Sequence, residues 1–138
     1  MRRFLLSIFL FFLVSIHSTY AQNENYVRSH TYRKAYTVAP AYDKNNESIT
    51  TQYYDGLGRP FQTVQRQASP QGKDVVNYYI YDAYGRQPRE YLPYPSENQT
   101  AGNPGTNPIS ESFNYYYELK EEEYPYSKTK YEPSPLNR

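Results

Sequence analysis

Two carboxylates stand in matching frames 27 residues apart. Asp55 lies in Tyr54-Asp55-Gly56-Leu57-Gly58-Arg59, and Asp82 in Tyr81-Asp82-Ala83-Tyr84-Gly85-Arg86. A pair of carboxyl groups is what glycoside hydrolysis needs, so this is the first chemistry to weigh. Both occupy the same place in a Tyr-Asp-x-x-Gly-Arg repeat, and a turn-forming role accounts for them without catalysis. Asp55-Gly56-Leu57-Gly58 is not a phosphate loop, because no Lys-Ser/Thr follows Gly58 and no helix opens there. The chain has no Cys, which removes thiol nucleophiles, disulfides and thiolate metal sites together. No Ser sits in a Gly-x-Ser-x-Gly elbow. His30 stands in a strand-like stretch, where a packed or solvated ring is expected rather than a ligand. Glu121-Glu122-Glu123 could attract calcium, but an acidic run of this kind is expected to be a solvated face. No catalytic, cofactor-binding or metal-ligating residue is expected, and the chain is not read as an enzyme.

The repeat has a physical logic of its own. Tyr54 and Tyr81 end strands and lay their rings on a sheet. Asp55 and Asp82 accept hydrogen bonds from backbone N–H groups just ahead and so nucleate a turn. Gly58 and Gly85 supply a positive φ that closes a hairpin at little steric cost. Arg59 and Arg86 sit where the chain returns, within reach of the Asp or of a neighbouring Tyr ring.

Elements must hold these turns, and the surrounding pattern is β. Tyr26 to Val38 alternates with period two, Tyr26, Arg28, His30, Tyr32, Lys34, Tyr36 and Val38 falling on one face. Pro40 to Glu47 reads as a loop. Strands are expected at Ile49–Tyr54, Phe61–Gln67, Asp74–Tyr81 and Gln87–Leu92, with turns at 55–60, 69–73 and 82–86. Pro88 confines the last strand to an edge or a bulge. Together they make an antiparallel meander. Ser96 to Pro108 is a polar linker, Phe113–Tyr117 a possible strand, and Glu118–Tyr124 an acidic cluster without a clean helical face. Eight of the 11 Pro lie from Pro88 onward, which predicts an extended C-terminal third.

Composition sets the limits. Arg2 and Arg3 precede an apolar run from Phe4 to Ile16, and Thr19-Tyr20-Ala21 offers small residues at a cleavage site. This reads as an export signal over 1–21, too short to span a bilayer comfortably. Removing 21 of 138 residues leaves 117, with 13 Lys+Arg against 14 Asp+Glu, a net charge of −1. That balance offers nucleic acid no basic surface. Leu, Ile, Val and Phe make up 14 of the 117, about 12%, while 18 of the 19 Tyr remain. So few aliphatic residues exclude a compact helical bundle or an α/β enzyme with an aliphatic core. A thin, Tyr-faced β-structure is what remains, since a Tyr ring packs while its hydroxyl stays hydrogen-bonded. With no disulfide and little grease, the chain is expected to lean on something beyond its own boundaries. Sequons at Asn46-Glu47-Ser48 and Asn98-Gln99-Thr100 would matter only in a eukaryotic secretory pathway.

The repeat and its flanks resemble the Tyr-Asp (YD) or Rhs-repeat proteins. The likeness is to the N-terminal region ahead of the repeats in long secreted proteins of Bacteroidetes type. The matching stretches are Glu24–Arg28, Tyr54–Val64, Tyr81–Arg86, Glu90–Tyr94 and Ser134-Pro135-Leu136-Asn137-Arg138. The resemblance implies β-hairpins wound into a hollow shell that encloses a C-terminal toxin domain released by self-cleavage. Such a shell needs many repeats. This chain has two, with no downstream core motif and no toxic tip, so it is expected to be the front part of an interrupted reading frame. The resulting expectation is an exported, all-β antiparallel hairpin meander. Its parts are a signal peptide at 1–21, a strand and loop at 22–47, paired hairpin repeats at 48–95, and a linker with a Tyr/Pro-rich segment at 96–138. Its expected partners are downstream repeats or a homologous chain, with no nucleic acid and no membrane once the signal is removed. Secretion, surface display and periplasmic retention all remain open. The alternative is a cell-surface carbohydrate-binding module that stacks sugars on Tyr53, Tyr54, Tyr78, Tyr79 and Tyr81.

Overall fold

The computed structural model describes residues 25–97, 101–121 and 123–132. The export signal, the Asn98 sequon and the Ser134–Arg138 run lie outside the described residues.

Alternation of β-branched and aromatic residues produces the main sheet. Strands β1 (Asn25–Tyr32), β2 (Glu47–Tyr54), β3 (Pro60–Gln65) and β4 (Val75–Tyr78) follow one another. After β5 (Arg89–Tyr91) the chain adds β6 (Tyr94–Pro95), and the five-stranded order is β1-β2-β3-β4-β6. Every pairing is antiparallel. In β2 the residues alternate between buried and open, which gives the sheet a covered face and an open one. Register then aligns the covered face: Tyr53 lies opposite Gln62, Thr51 opposite Val64, Val64 opposite Val76, and Val76 opposite Tyr94. A bulge between Tyr53 and Tyr54 swings Phe61 out of the ladder and places its ring 6.1 Å from that of Tyr53.

The architecture is all-β with one helix. Three local expectations change. The first strand stops at Tyr32, and residues 33–38 are bends and irregular chain rather than strand. The expected fourth strand of the meander shortens to β5, which leaves the main sheet and pairs with β7 (Tyr126–Lys128). An isolated bridge from Tyr79 to Glu90 links the two sheets.

The third change is a helix, α1 (Pro108–Lys120), where Phe113–Tyr117 was expected to extend. Pro108 opens it, Glu111 lies in its first turn, and Glu121 ends it in the left-handed conformation. There the Glu121 N–H donates to the Tyr117 carbonyl at 3.0 Å. Cover recurs at helical spacing: Ser112 is buried and Pro108, Glu111 and Tyr115 are half-buried, while Tyr117 is exposed. The helix lies against β4 and β6 on the covered face.

The core is mostly tyrosine. Tyr53, Val64, Val76, Tyr78, Tyr91 and Tyr94 are buried together, and Phe113, Tyr115, Tyr116 and Tyr126 close over them. Tyr78 stacks on Tyr91 at 4.3 Å, and Tyr91 meets Tyr126 at 5.3 Å, so aromatic contact joins the small sheet to the large one.

Candidate functional site: the paired turns

Both Tyr-Asp-x-x-Gly-Arg turns form the same set of bonds. In the first, the Asp55 N–H donates to the Arg59 carbonyl at 2.9 Å and the Gly58 N–H to the Asp55 carbonyl at 3.0 Å. Asp55 Oδ1 accepts the N–H groups of Leu57 and Arg59, both at 2.9 Å, and Oδ2 accepts Arg59 Nε at 2.8 Å. In the second, Asp82 repeats each bond to Tyr84 and Arg86 at the same distances. Gly58 and Gly85 have φ of 74° and 75°. A tight turn followed by a left-handed residue is a common hairpin closure. These bonds favour the charged carboxylate and hold both Asp groups below the usual carboxylate range. The largest cause is the backbone N–H of the Arg in each turn.

The turns also interlock. Arg59 lies over the Tyr81 ring at 4.5 Å, and the Tyr81 hydroxyl donates to the Pro60 carbonyl at 2.7 Å. The Tyr of the second copy thus grips the Arg and the next carbonyl of the first. Arg86 is gripped in the same way by Tyr131, whose ring lies 4.7 Å away and whose hydroxyl donates to the Gln87 carbonyl at 3.3 Å. Arg86 Nη1 returns a bond to the Glu132 carbonyl at 3.0 Å. Tyr131 therefore serves the second turn as Tyr81 serves the first. Sequence reading missed Tyr131 because its spacing from Tyr81 is 131 − 81 = 50 residues, not 27. The available signal was the dipeptide Tyr131-Glu132, an acidic echo of Tyr-Asp.

Other groups proposed for chemistry fall in separate places. His30 Nδ1 is hydrogen-bonded across the β1–β2 ladder to the buried carboxyl group of Glu47. Glu121 and Glu123 are exposed. No group of three metal-ligating side chains occurs among the described residues. Of the rings considered for sugar stacking, Tyr53 and Tyr78 are buried in the core and Tyr81 is engaged by Arg59. Tyr79 lines a cleft of about 270 Å³ on the open face, with Thr63, Asn77 and Pro93. A larger groove of about 520 Å³ runs between α1 and the β3–β4 turn, where Lys73 pairs with Glu97 at 2.6 Å and Glu111 and Glu118 face them.

A second latch was also invisible in sequence. Asp74, buried just before β4, accepts the Gln67 N–H at 2.8 Å and the Gly102 N–H at 2.7 Å. The Tyr53 hydroxyl donates to the Gly102 carbonyl at 2.6 Å. Loop 101–107 is thereby drawn onto the covered face.

Fold and turns together define a small antiparallel β-protein of clamped, interlocking hairpins with a helical cover. Residues 28–138 match the family described as Domain of unknown function (DUF6443), and the chain belongs to that family. No curated protein and no solved structure matches it.

Proposed function

We propose that this chain is a non-catalytic structural segment of an exported YD/Rhs-type repeat protein, holding hairpins in register for further repeats. The observation that carries the reading is the recurrent grip: Tyr81 on Arg59 and Pro60, then Tyr131 on Arg86 and Gln87. A device in which each copy closes on the preceding one extends with every added copy, and its stability is a sum of neighbour contacts. The apolar run of residues 4–16 supports export, and no described helix is long and apolar enough to cross a membrane. The partner in this reading is a further stretch of the same repeats or a homologous chain. The test compares residues 22–138 alone with the same chain fused to additional Tyr-Asp-x-x-Gly-Arg hairpins. The fused form is expected to melt at higher temperature and more sharply, and Tyr131→Ala is expected to remove that gain. Identical melting of the two forms would refute the reading.

The open-face cleft beside Tyr79 supports a second reading, a glycan-binding module. It requires Tyr79→Ala to abolish retention on immobilised polysaccharide while leaving the fold intact.

A further inference from the structure

Among the described residues, the outer edge of β1 is an open row of backbone donors and acceptors. Arg33 N–H donates to the Asn46 carbonyl, and Arg66 N–H to the Ile49 carbonyl, both at 2.9 Å. In an antiparallel ladder hydrogen-bonded and non-hydrogen-bonded pairs alternate. With this register, Val27, Ser29 and Thr31 direct their N–H and C=O groups to β2. Tyr26, Arg28, His30 and Tyr32 then direct theirs outward. All eight residues of β1 are exposed. The strand carries no Pro and pairs with β2 without a register shift, so it lacks two common protections of a sheet edge.

Along its own sequence this edge is one-sided in charge, although Glu47 of β2 reaches the same face and takes up His30. Asn25 to Val38 contains Arg28, Arg33 and Lys34 and no acidic residue. Arg28 is held at the rim, its Nε donating to Thr51 Oγ1 at 3.0 Å and its guanidinium 5.3 Å from the Tyr26 ring. Tyr26 and Tyr32 stand on the same face, partly exposed. A second copy of β1 fits poorly. Opposed residues share a face, so the register setting Tyr26 against Tyr32 puts Arg28 against His30, and a neighbouring register puts Arg28 against itself. Neither supplies a carboxylate. Like charges across a ladder destabilise it, and opposite charges stabilise it.

We propose that the outer edge of β1 accepts an extended, acidic segment of another polypeptide as an added strand, with a carboxylate opposite Arg28. The backbone row supplies affinity, Arg28 selects charge, and the Tyr26 and Tyr32 rings cover the incoming side chains. The same Arg28 discourages edge-to-edge self-association. No residue of β1 takes part in the grip of Tyr81 or Tyr131, and the inference does not rest on the repeat reading.

The test uses residues 22–138 and two synthetic peptides, one alternating Glu with Val and one alternating Lys with Val. Amide hydrogen exchange is followed residue by residue. The free protein should protect the amides of Val27, Ser29 and Thr31 and leave those of Tyr26, Arg28, His30 and Tyr32 fast. The Glu peptide should slow these four, less so at high salt. Arg28→Glu should weaken the Glu peptide at least about tenfold and admit the Lys peptide instead. Arg28→Pro, which deletes one outward N–H at a position an edge strand tolerates, should weaken the Glu peptide as well. Equal protection by both peptides, protection by neither, or slow even-numbered amides through concentration-dependent self-pairing would each overturn the proposal. So would unprotected odd-numbered amides in the free protein, since no preformed edge would then exist.

Discussion

Single residues determine the turns, and each carries a measurable share. Gly58 and Gly85 hold φ near 75°, a conformation that costs an L-residue about 1–2 kcal/mol. A Cβ on Gly58 would meet nothing within 4 Å, and one on Gly85 would meet only Arg59 Nη1 at 3.6 Å. Gly58→Ala and Gly85→Ala should therefore cost similar amounts, about 1–2 kcal/mol each in urea unfolding, through backbone strain alone. A much larger loss in Gly85→Ala would mean that contact with Arg59 dominates. The acid limb of stability follows from Asp55 and Asp82. Both are held below the ordinary carboxylate value of 3.8 in the fold, so their stabilisation is complete above that value and disappears as pH falls through the folded one. Replacing both with Asn should flatten stability against pH below about 4 while lowering the neutral plateau. An unchanged acid limb would place the titrating groups elsewhere.

At the scale of elements, the turns were legible because their chemistry is local: Asp, Gly and Arg within five residues specify the hairpin without reference to the rest of the chain. Strands β2, β3 and β4 were legible from alternation for the same reason. Long-range partners decided the others. Gln87–Leu92 has strand character, but Tyr91 stacks on Tyr78 and packs at a tilt against Tyr126, which draws β5 to β7. Phe113-Asn114-Tyr115-Tyr116-Tyr117 is rich in strand-favouring aromatics, yet Asn107-Pro108 opens a helix and Glu118 to Lys120 continues it. Helical spacing then satisfies burial, and the covered face of β4 and β6 completes it. Asp74 could not be singled out, because its partners Gln67 and Gly102 lie seven and 28 residues away. It holds the loop that leads into α1. Asp74→Ala deprives the buried Gly102 N–H and the half-buried Gln67 N–H of this acceptor and should cost about 1–3 kcal/mol. Exchange should accelerate first in loop 101–107 and the start of α1, ahead of β2 and β3. Uniform acceleration across the sheet would show that Asp74 supports the whole fold rather than this latch.

For the whole molecule, the scarcity of aliphatic residues proves to be a choice of core material. Four of the six residues in the buried cluster are tyrosines, and the sequence indicated this through its 19 Tyr without revealing which faces they occupy. Register decides that: Tyr53 and Tyr78 point into the core, while Tyr54 and Tyr79 stand one position along on the open face. A phenolic core has a consequence that an aliphatic one lacks. Burial pushes the Tyr78 hydroxyl from 10.0 to about 12, against the pull of Ser112 beside it. Burial raises Tyr94 further, with the Glu111 carboxylate next to it adding to the effect. The unfolded chain ionises these phenols near 10.0, whereas the folded chain holds them neutral. Stability is therefore full below pH 10 and declines as pH rises through the folded value, with Tyr78 exhausted at about 12. Phenolate absorbance and loss of near-ultraviolet circular dichroism should rise together on this alkaline limb, because the core tyrosines ionise by unfolding. Tyr78→Phe and Tyr94→Phe keep the rings and delete the titrating groups, so each should make the alkaline limb shallower. Tyr94→Phe should do so more, and it leaves Glu111 its bond from Ser96 Oγ at 2.9 Å. Phenolate formation that runs to completion while the circular dichroism stays native would mean that the core admits charge, and that these tyrosines are not what closes the sheet.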